Sequence, residues 1–98
     1  MPNESLEEIK LEVKKLIIQT LNFKDVKPEE IIDNLSFFTG ENTIKIDSID
    51  ALEIVLEVQR RFKVRINNQN LARVIINSVD SISEFVYTEH NKPENTSQ

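Results

Sequence analysis

The chain of 98 residues is long enough for one small domain, and its 17 acidic and 12 basic residues give a formal net charge of −5. It has no cysteine, which excludes disulfide bonds and cysteine-based zinc sites. No apolar run approaches the roughly 20 residues that span a membrane, and residues 1–4 lack the basic start of a secretory signal. We therefore expect a cytoplasmic protein with a modest, mainly aliphatic core.

The charge is unevenly distributed along the chain. Residues 1–59 contain 13 acidic and 6 basic residues, whereas residues 60–73 contain five basic residues and no acidic one. Nucleic-acid binding requires clustered positive charge, so the acidic bulk argues against a nucleic acid as the main partner. The basic segment keeps such binding open as an alternative, but recognition of the acidic surface by basic proteins is the preferred interpretation.

The first predicted element is an amphipathic helix over residues 4–21. Its apolar residues recur at helical spacing and are Leu6, Ile9, Val13, Leu16, Ile17 and Leu21. Charged residues occupy most of the other face. Ser5 with Glu8 fits a capping box, which indicates where the helix begins.

Residues 22–47 form a long connection after this helix. Pro28 is followed by two glutamates and is expected to start one short helical turn. Gly40, the only glycine, is expected to form a turn. The apolar residues that should anchor the connection to the core are Leu35, Phe37 and Phe38.

A second helix is predicted over residues 48–63. On a helical wheel the residues on its core-facing side are Ala51, Leu52, Val55, Val58 and Phe62. The opposite side is acidic and consists of Asp50, Glu53 and Glu57. Ile49 and Leu56 lie at the edge of the acidic face, where exposed apolar residues suit a transient docking surface.

Two shorter elements follow this helix. After a polar turn, a short helix is expected over residues 71–76 and a last helix over residues 81–89. Ser81 and Glu84 form a second capping-box pattern, which would start the last helix.

The predicted fold is therefore all-α, with three main helices, one short helix and a long first loop in a single domain of residues 1–90. Residues 91–98 are polar and are expected to form a disordered tail. No segment alternates convincingly enough to predict a β-strand.

Ser48 has the most distinctive setting in the chain. It follows Asp47 at the junction between the long connection and the second helix. The first turn of a helix offers unpaired N–H groups and the positive end of the helix dipole, and both favour an anion such as a phosphodiester. An ordinary N-cap formed by Asp47 or Ser48 is the simpler interpretation of the same pair.

The stretch around Ser48 resembles the acyl carrier protein family, in which a serine behind an aspartate bears a 4′-phosphopantetheine arm. The likeness is carried by the aspartate–serine pair, the apolar spacing, two acids, an aromatic residue and a closing isoleucine, namely Asp47, Ser48, Asp50, Glu53, Phe62 and Ile66. It extends in length and pattern over nearly all of residues 4–88, although its one specific motif lies around Ser48.

The resemblance implies an acyl carrier protein with Ser48 as the attachment site and Asp47 as a recognition residue. A phosphopantetheinyl transferase would move the 4′-phosphopantetheine arm from coenzyme A to the Ser48 hydroxyl, and the arm's thiol would hold an acyl chain as a thioester. The protein would not itself be an enzyme, and it would bind no metal. Its other partners would be acyl-loading and acyl-processing enzymes of fatty acid biosynthesis or of a specialised lipid or polyketide pathway. We expect a monomer with no nucleic-acid partner and no membrane insertion.

Further site residues are expected on the helices that follow Ser48. The candidate docking residues are Ile49, Asp50, Glu53, Leu56, Glu57, Arg60 and Arg61. A solvated helix face is the simpler interpretation of these charges. The candidate acyl groove consists of Leu52, Val55, Leu71, Val74 and Ile75, for which plain core packing is an equal alternative. Lys45 stands where the family commonly has glycine, and the basic Arg60–Arg61 pair where it is often acidic, which suggests a separate pathway.

Three alternative functions stay open. An aminoacyl carrier, holding D-alanine or a peptide, would keep the arm and change the cargo. An unmodified helical interaction module would keep the fold without the arm, and a nucleic-acid binder would use the basic segment 60–73. His90 has no nucleophile near it in the sequence and is expected to be a solvated terminal residue.

Overall fold

The computed structural model describes residues 5–92, and over that part the chain forms helices, turns and loops without a strand. The elements are α1 (Leu6–Leu21), a 3₁₀ turn (Pro28–Glu30), α2 (Ser48–Phe62), α3 (Gln69–Ile75) and α4 (Val79–His90). The all-α prediction of three main helices, one short helix and a long first loop is confirmed. Most of the predicted tail lies outside the described residues, as do residues 1–4.

Helix α1 begins where its capping pattern predicts. The Ser5 hydroxyl accepts a hydrogen bond from the Glu8 N–H at 3.1 Å, and the Glu8 carboxylate accepts one from the Ser5 N–H at 2.9 Å. Ser5 is therefore the cap, and the helix proper starts at Leu6. The buried residues of this helix are Ile9, Val13, Leu16 and Ile17.

The core is mainly aliphatic, as the composition predicts. Helix α1 packs against α2 and α4, and α3 packs against α4. Side chains with almost no exposure come from the three long helices and from the first loop, and include Ile9, Leu16, Ile17, Phe37, Ile46, Ile54, Val58, Val79, Ile82 and Val86. The first loop is therefore part of the core rather than a peripheral connection.

Helix α2 turns the face that the helical wheel predicts to the core, with the exception of Leu52. Ile54 is fully buried, whereas Leu52, predicted to face the core, is 61% exposed. The prediction is correct for Val55, Val58 and Phe62, which are buried. The difference at Leu52 arises because α1 covers one side of α2, while α3 packs mainly against α4 and leaves the other side open.

The starts of α3 and α4 lie two residues before the predicted ones. Helix α3 begins at Gln69 because the Asn68 side chain accepts hydrogen bonds from two first-turn N–H groups. At α4 the Ser78 hydroxyl accepts from the Ser81 N–H at 3.1 Å, and the Ser81 hydroxyl accepts from the Ser78 N–H at 2.9 Å. Ser78 is thus the cap, and the predicted capping box of Ser81 with Glu84 is wrong.

The long first loop is fixed to the core by Phe37. Its side chain is fully buried, and its backbone N–H donates a hydrogen bond to the Asn77 carbonyl at 2.9 Å. Its carbonyl oxygen accepts a hydrogen bond from the Ile46 N–H at 3.2 Å. The predicted anchor at Phe37 is confirmed, but Phe38 is 39% exposed and the anchoring role predicted for it is wrong.

Asn42 organises the middle of the same loop. Its side-chain oxygen accepts hydrogen bonds from the Ile32 and Thr43 N–H groups, and its side-chain nitrogen donates to the Ile32 and Leu35 carbonyls. Four hydrogen bonds satisfy this buried amide. They also pair backbone groups of the loop that would be paired with one another in a helix or a sheet. Gly40, two residues earlier, has a φ of 87°, so the predicted turn needs its glycine.

A partly buried charge cluster joins α1 to the first loop and to α4. Lys10 Nζ lies 3.2 Å from Asp80 Oδ1, and Lys14 Nζ lies 2.6 Å from Asp33 Oδ1. The Asp80 N–H also donates to the Asp33 carbonyl at 3.0 Å. The hydrogen bond to Asp80 raises the pKa of Lys10 above its ordinary value, and it outweighs the opposing effect of burial.

Candidate functional site

Ser48 is the first residue of α2 and is exposed. The residue before it, Asp47, is the cap, because Asp47 Oδ1 accepts a hydrogen bond from the Asp50 N–H at 2.9 Å. Asp50 Oδ2 in turn accepts one from the Asp47 N–H at 3.3 Å. The Ser48 hydroxyl takes no part in this capping box, and it has no hydrogen-bond partner among residues 5–92.

The position of Ser48 is fixed by the buried end of the first loop. Ile44 and Ile46 are buried, whereas the alternate residues Lys45 and Asp47 are exposed. Ile46 is held by its hydrogen bond to Phe37. The chain therefore reaches the surface from a rigid anchor two residues before Ser48, and α2 begins at once.

A groove of about 750 Å³ opens beside Ser48 and runs between α2 and α3. Its apolar wall consists of Phe38, Ala51, Leu52, Val55, Leu56, Ile66, Ala72 and Ile76. Its polar wall consists of Ser48, Gln59, Asn67, Asn68, Gln69 and Arg73. The space exists because α3 packs against α4 and does not close on the Leu52 side of α2.

The two ends of the groove differ in chemistry. Ile76 directly follows α3 and is next to Asn77, whose carbonyl accepts a hydrogen bond from the Phe37 N–H. Phe37 is also bound to Ile46, two residues before Ser48, so Ile76 lies at the end of the groove near the start of α2. At the other end Gln59 Oε1 accepts a hydrogen bond from the Ile66 N–H at 2.9 Å. Gln59 is eleven residues after Ser48, about 16 Å along the helix axis. The amide side chains of residues 67–69 therefore lie at the end far from Ser48.

The predicted groove residues divide between the two helices. Leu52 and Val55 on α2 line the groove. On α3 the lining residues are Gln69, Ala72 and Arg73, with Ile76 directly after the helix, in place of the predicted Leu71, Val74 and Ile75. Leu71 and Val74 are exposed and Ile75 is buried, so α3 turns a different face to the groove from the predicted one. The spacing of Gln69, Arg73 and Ile76 places them on one face of the helix, but it does not show that this face borders the groove.

The apolar residues predicted for docking lie on the surface of α2. Ile49 is 71% exposed and Leu56 is 54% exposed, and the exposed Leu52 lies between them in sequence. Together these three residues form an apolar patch on the same helix as Ser48. Large apolar side chains exposed as a group, rather than singly, are a feature of interaction surfaces.

The charged residues predicted for docking are mostly paired within the chain. Asp50 belongs to the capping box, and Glu57 Oε2 lies 2.7 Å from Arg60 Nη1. Arg61 lies 3.8 Å from the Glu12 carboxylate and donates to the Gln19 side chain. Glu53 is exposed and has no ion-pair partner among residues 5–92. It is the docking acid that remains unpaired near the apolar patch.

The basic segment is partly neutralised by these contacts. Within residues 5–92 Lys63, Arg65 and Arg73 form no ion pair. Lys63 and Arg65 are exposed and alternate with the buried Val64 and Ile66 in the connection between α2 and α3. Arg73 is the one of the three that lines the groove.

His90 is exposed at the end of α4 and also contacts α2. Its Nε2 lies 2.7 Å from the Phe62 carbonyl oxygen, and the two rings are 6.3 Å apart between centroids. His90 is exposed, as expected, and the contact to Phe62 is an addition that the sequence did not predict, because α4 ends beside the last carbonyls of α2. Residues 5–92 contain no cluster of three or more metal-ligating side chains, and no helix among them is long and apolar enough to cross a membrane.

Residues 5–92 thus form a small four-helix domain, with a serine hydroxyl at the start of α2 that has no partner within this range and an elongated groove beside it. No protein-family model and no curated protein match the chain. The case for a function rests on Ser48, the apolar patch and the groove.

Proposed function

We propose that this protein is an acyl carrier, in which Ser48 bears a 4′-phosphopantetheine arm that presents an acyl chain to partner enzymes. The observation that carries the proposal is the free, exposed Ser48 hydroxyl at the mouth of a groove of about 750 Å³. When bound, the arm supplies a thiol that forms thioesters, a group that the cysteine-free chain lacks. The domain itself serves as a handle and not as an enzyme.

The local structure fits a phosphodiester on the Ser48 oxygen. The capping box uses Asp47 and Asp50, so modification of Ser48 removes no hydrogen bond from the start of α2. The positive end of the helix dipole and the first-turn N–H groups stabilise an anion at this position. The exposed ammonium group of Lys45 lies three residues earlier and adds positive charge to the neighbourhood.

The attachment step uses the Ser48 hydroxyl as the nucleophile. Its oxygen forms a bond to the phosphorus of coenzyme A that carries pantetheine, and the pyrophosphate linkage breaks. Adenosine 3′,5′-bisphosphate leaves, and the hydroxyl proton passes to a base of the phosphopantetheinyl transferase. Exposure of the hydroxyl meets the one structural requirement of this step, which is access for a separate enzyme.

Partner enzymes would dock on α2. The apolar patch of Ile49, Leu52 and Leu56 offers an uncharged centre, and the unpaired Glu53 lies beside it. Exposed charges of this kind mainly set the association rate and the choice of partner. We propose that the transferase and the acyl-processing enzymes, cytoplasmic proteins of fatty acid or specialised lipid or polyketide synthesis, use this surface.

Intact-mass measurement tests the proposal. The purified protein is incubated with coenzyme A and a phosphopantetheinyl transferase of broad specificity. We expect the wild type to gain the mass of one phosphopantetheinyl group, and Ser48→Ala to gain none. Ser36→Ala is the matched control and should gain the group, because Ser36 contacts Asn77 and lies outside α2. An unchanged mass for the wild type, or a gain by Ser48→Ala, contradicts the proposal.

The apolar patch also favours a second candidate, an unmodified helical interaction module. Ile49, Leu52 and Leu56 would then bind a partner without an arm. Ser48→Ala distinguishes the two, because a carrier loses its activity in the cell with this change. A Ser48→Ala protein that binds its natural partner at unchanged affinity and keeps full activity favours the module.

A further inference from the structure

We propose that the groove is built for an acyl chain that ends in a carboxylate, and that Arg73 binds this carboxylate. The inference rests on the proposed carrier function and names its class of cargo. It follows from three features of the groove: the order of apolar and polar side chains along it, the absence of an ion pair at Arg73 within residues 5–92, and the amide groups that line the same groove.

The walls change from apolar to polar along the groove. Near Ser48 they are formed by Phe38, Ala51 and Leu52, whereas the far end is formed by Ile66 together with Gln59 and the amides of residues 67–69. A chain of methylene groups fits the first part. A methyl end that reached the second part would bury amide groups without giving them a hydrogen bond, which is unfavourable. A polar end of the chain would give these amide groups a hydrogen-bond partner.

Arg73 is the cation of this groove and is available to bind. It has no ion pair among residues 5–92, in contrast to Arg60 and Arg61, which contact Glu57 and Glu12. A guanidinium group presents a planar fork of donors that matches a carboxylate, and such pairs are stronger than neutral hydrogen bonds. Among residues 5–92, no acidic side chain lines the groove to compete for it.

The amide side chains that line the groove with Arg73 differ in the hydrogen bonds that they can still form. The Gln59 oxygen is occupied by the Ile66 N–H, and the Asn68 oxygen caps α3. The Asn67 and Gln69 side chains form no hydrogen bond within residues 5–92. Their amide N–H groups are donors for a carboxylate held by Arg73, whereas an ammonium end would be repelled by that residue.

The test uses the absence of cysteine from the chain. Ser48→Cys introduces a single thiol, to which alkyl chains of matched length are joined by a disulfide. The chains end in a methyl, a carboxylate or an ammonium group, and the melting temperature Tm of each adduct is measured at low salt. We expect the carboxylate chain to raise the Tm by roughly 2–5 °C more than the methyl chain, as one partly exposed ion pair would.

Three variants test whether the stabilisation by the carboxylate chain depends on Arg73. In Arg73→Gln the advantage of the carboxylate chain should be lost, and in Arg73→Glu the ammonium chain should become the most stabilising. Arg65→Gln removes an exposed cation outside the groove and should keep the wild-type order. Each comparison is made between chains on one variant, so a change in the stability of the variant itself cancels.

Two results overturn the inference: a methyl or ammonium chain that stabilises the Ser48→Cys protein as much as the carboxylate chain, or an advantage that survives Arg73→Gln. The adducts are made chemically and need no transferase. A negative result with these adducts therefore counts against the carboxylate-binding role of Arg73 alone. The carrier function is tested separately, by the mass of the wild-type protein after incubation with the transferase.

Discussion

Asp47 and Asp50 cap each other at the start of α2, with Asp47 Oδ1 2.9 Å from the Asp50 nitrogen and Asp50 Oδ2 3.3 Å from the Asp47 nitrogen. Ser48 lies between them in sequence, and its hydroxyl is left free. The residue that starts the helix and the residue that offers a nucleophile are therefore separate. A group can be added to Ser48 without unmaking the turn that presents it.

The cap can be tested through stability. Asp47→Ala removes the acceptor for the Asp50 N–H and should lower the free energy of unfolding by about 1 kcal/mol. Asp47→Asn keeps an acceptor at the same position and should stay close to the wild type. Urea unfolding measures both. An Asp47→Ala protein as stable as the wild type would show that the cap does not hold the start of α2.

The two adjacent phenylalanines of the first loop should behave differently. Phe37 is fully buried, so Phe37→Ala should cost about 3–5 kcal/mol and loosen the segment that leads to Ser48. Phe38→Ala, at a position 39% exposed, should cost less than about 1 kcal/mol. Urea unfolding gives the stabilities, and hydrogen exchange at Ile46 reports the loosening. Equal losses from the two changes would contradict the anchoring role of Phe37.

The charge cluster predicts a loss of stability at high pH. The pKa of Lys10 is raised in the folded state by its hydrogen bond to Asp80, so the folded protein holds this proton more tightly than the unfolded chain does. The resulting stability is fully present below the ordinary lysine pKa of about 10.4 and is lost as the pH rises through the folded value.

Lys10→Met should therefore reduce stability at neutral pH by about 1 kcal/mol, since it removes the ion pair that places Lys10 Nζ 3.2 Å from Asp80 Oδ1. The variant should also lose part of the alkaline decline that the wild type shows. Lys15→Met changes an exposed lysine of the same helix and serves as the control. Chemical unfolding across pH 7–11 measures the three curves. A Lys10→Met curve parallel to the wild type would refute the linkage.

The apolar patch predicts a rate effect without a stability effect. Leu56→Ser removes an apolar contact from the proposed docking surface and should lower kcat/KM of the transferase about tenfold, or about 1.4 kcal/mol. Val74→Ser changes a residue of α3 that is 67% exposed and should leave kcat/KM unaltered. Transfer rates at varied protein concentration provide the comparison, and equal rates for the two variants would place docking elsewhere.

Local patterns predicted most of the fold. The capping box of Ser5 and Glu8 and the apolar spacing after it lie within one helix, so they could be predicted without knowing how other helices pack against it. The start of α4, in contrast, depends on a contact with the preceding helix. Ser78 and Ser81 are both capable caps, and the choice falls on Ser78 because the Ser81 hydroxyl also donates to the Ile75 carbonyl at 2.6 Å.

The candidate site was predictable where it depends on sequence order and not where it depends on packing. The place of Ser48 at the start of α2 follows from its neighbours in the chain. The exposure of Leu52 depends on which side of α2 is covered by α1, and the groove position of Arg73 depends on the rotation of α3. Both are set by contacts between helices, which a helical wheel for one segment does not contain.

The central claim is that the Ser48 oxygen carries a thiol-bearing arm in the cell. The most direct measurement is the intact mass, with fragment mapping, of the protein purified from the cells that naturally produce it while its pathway is active. We predict one phosphopantetheinyl group on Ser48, free or acylated, and none on a Ser48→Ala protein from the same cells. A population in which Ser48 is entirely unmodified would contradict the account.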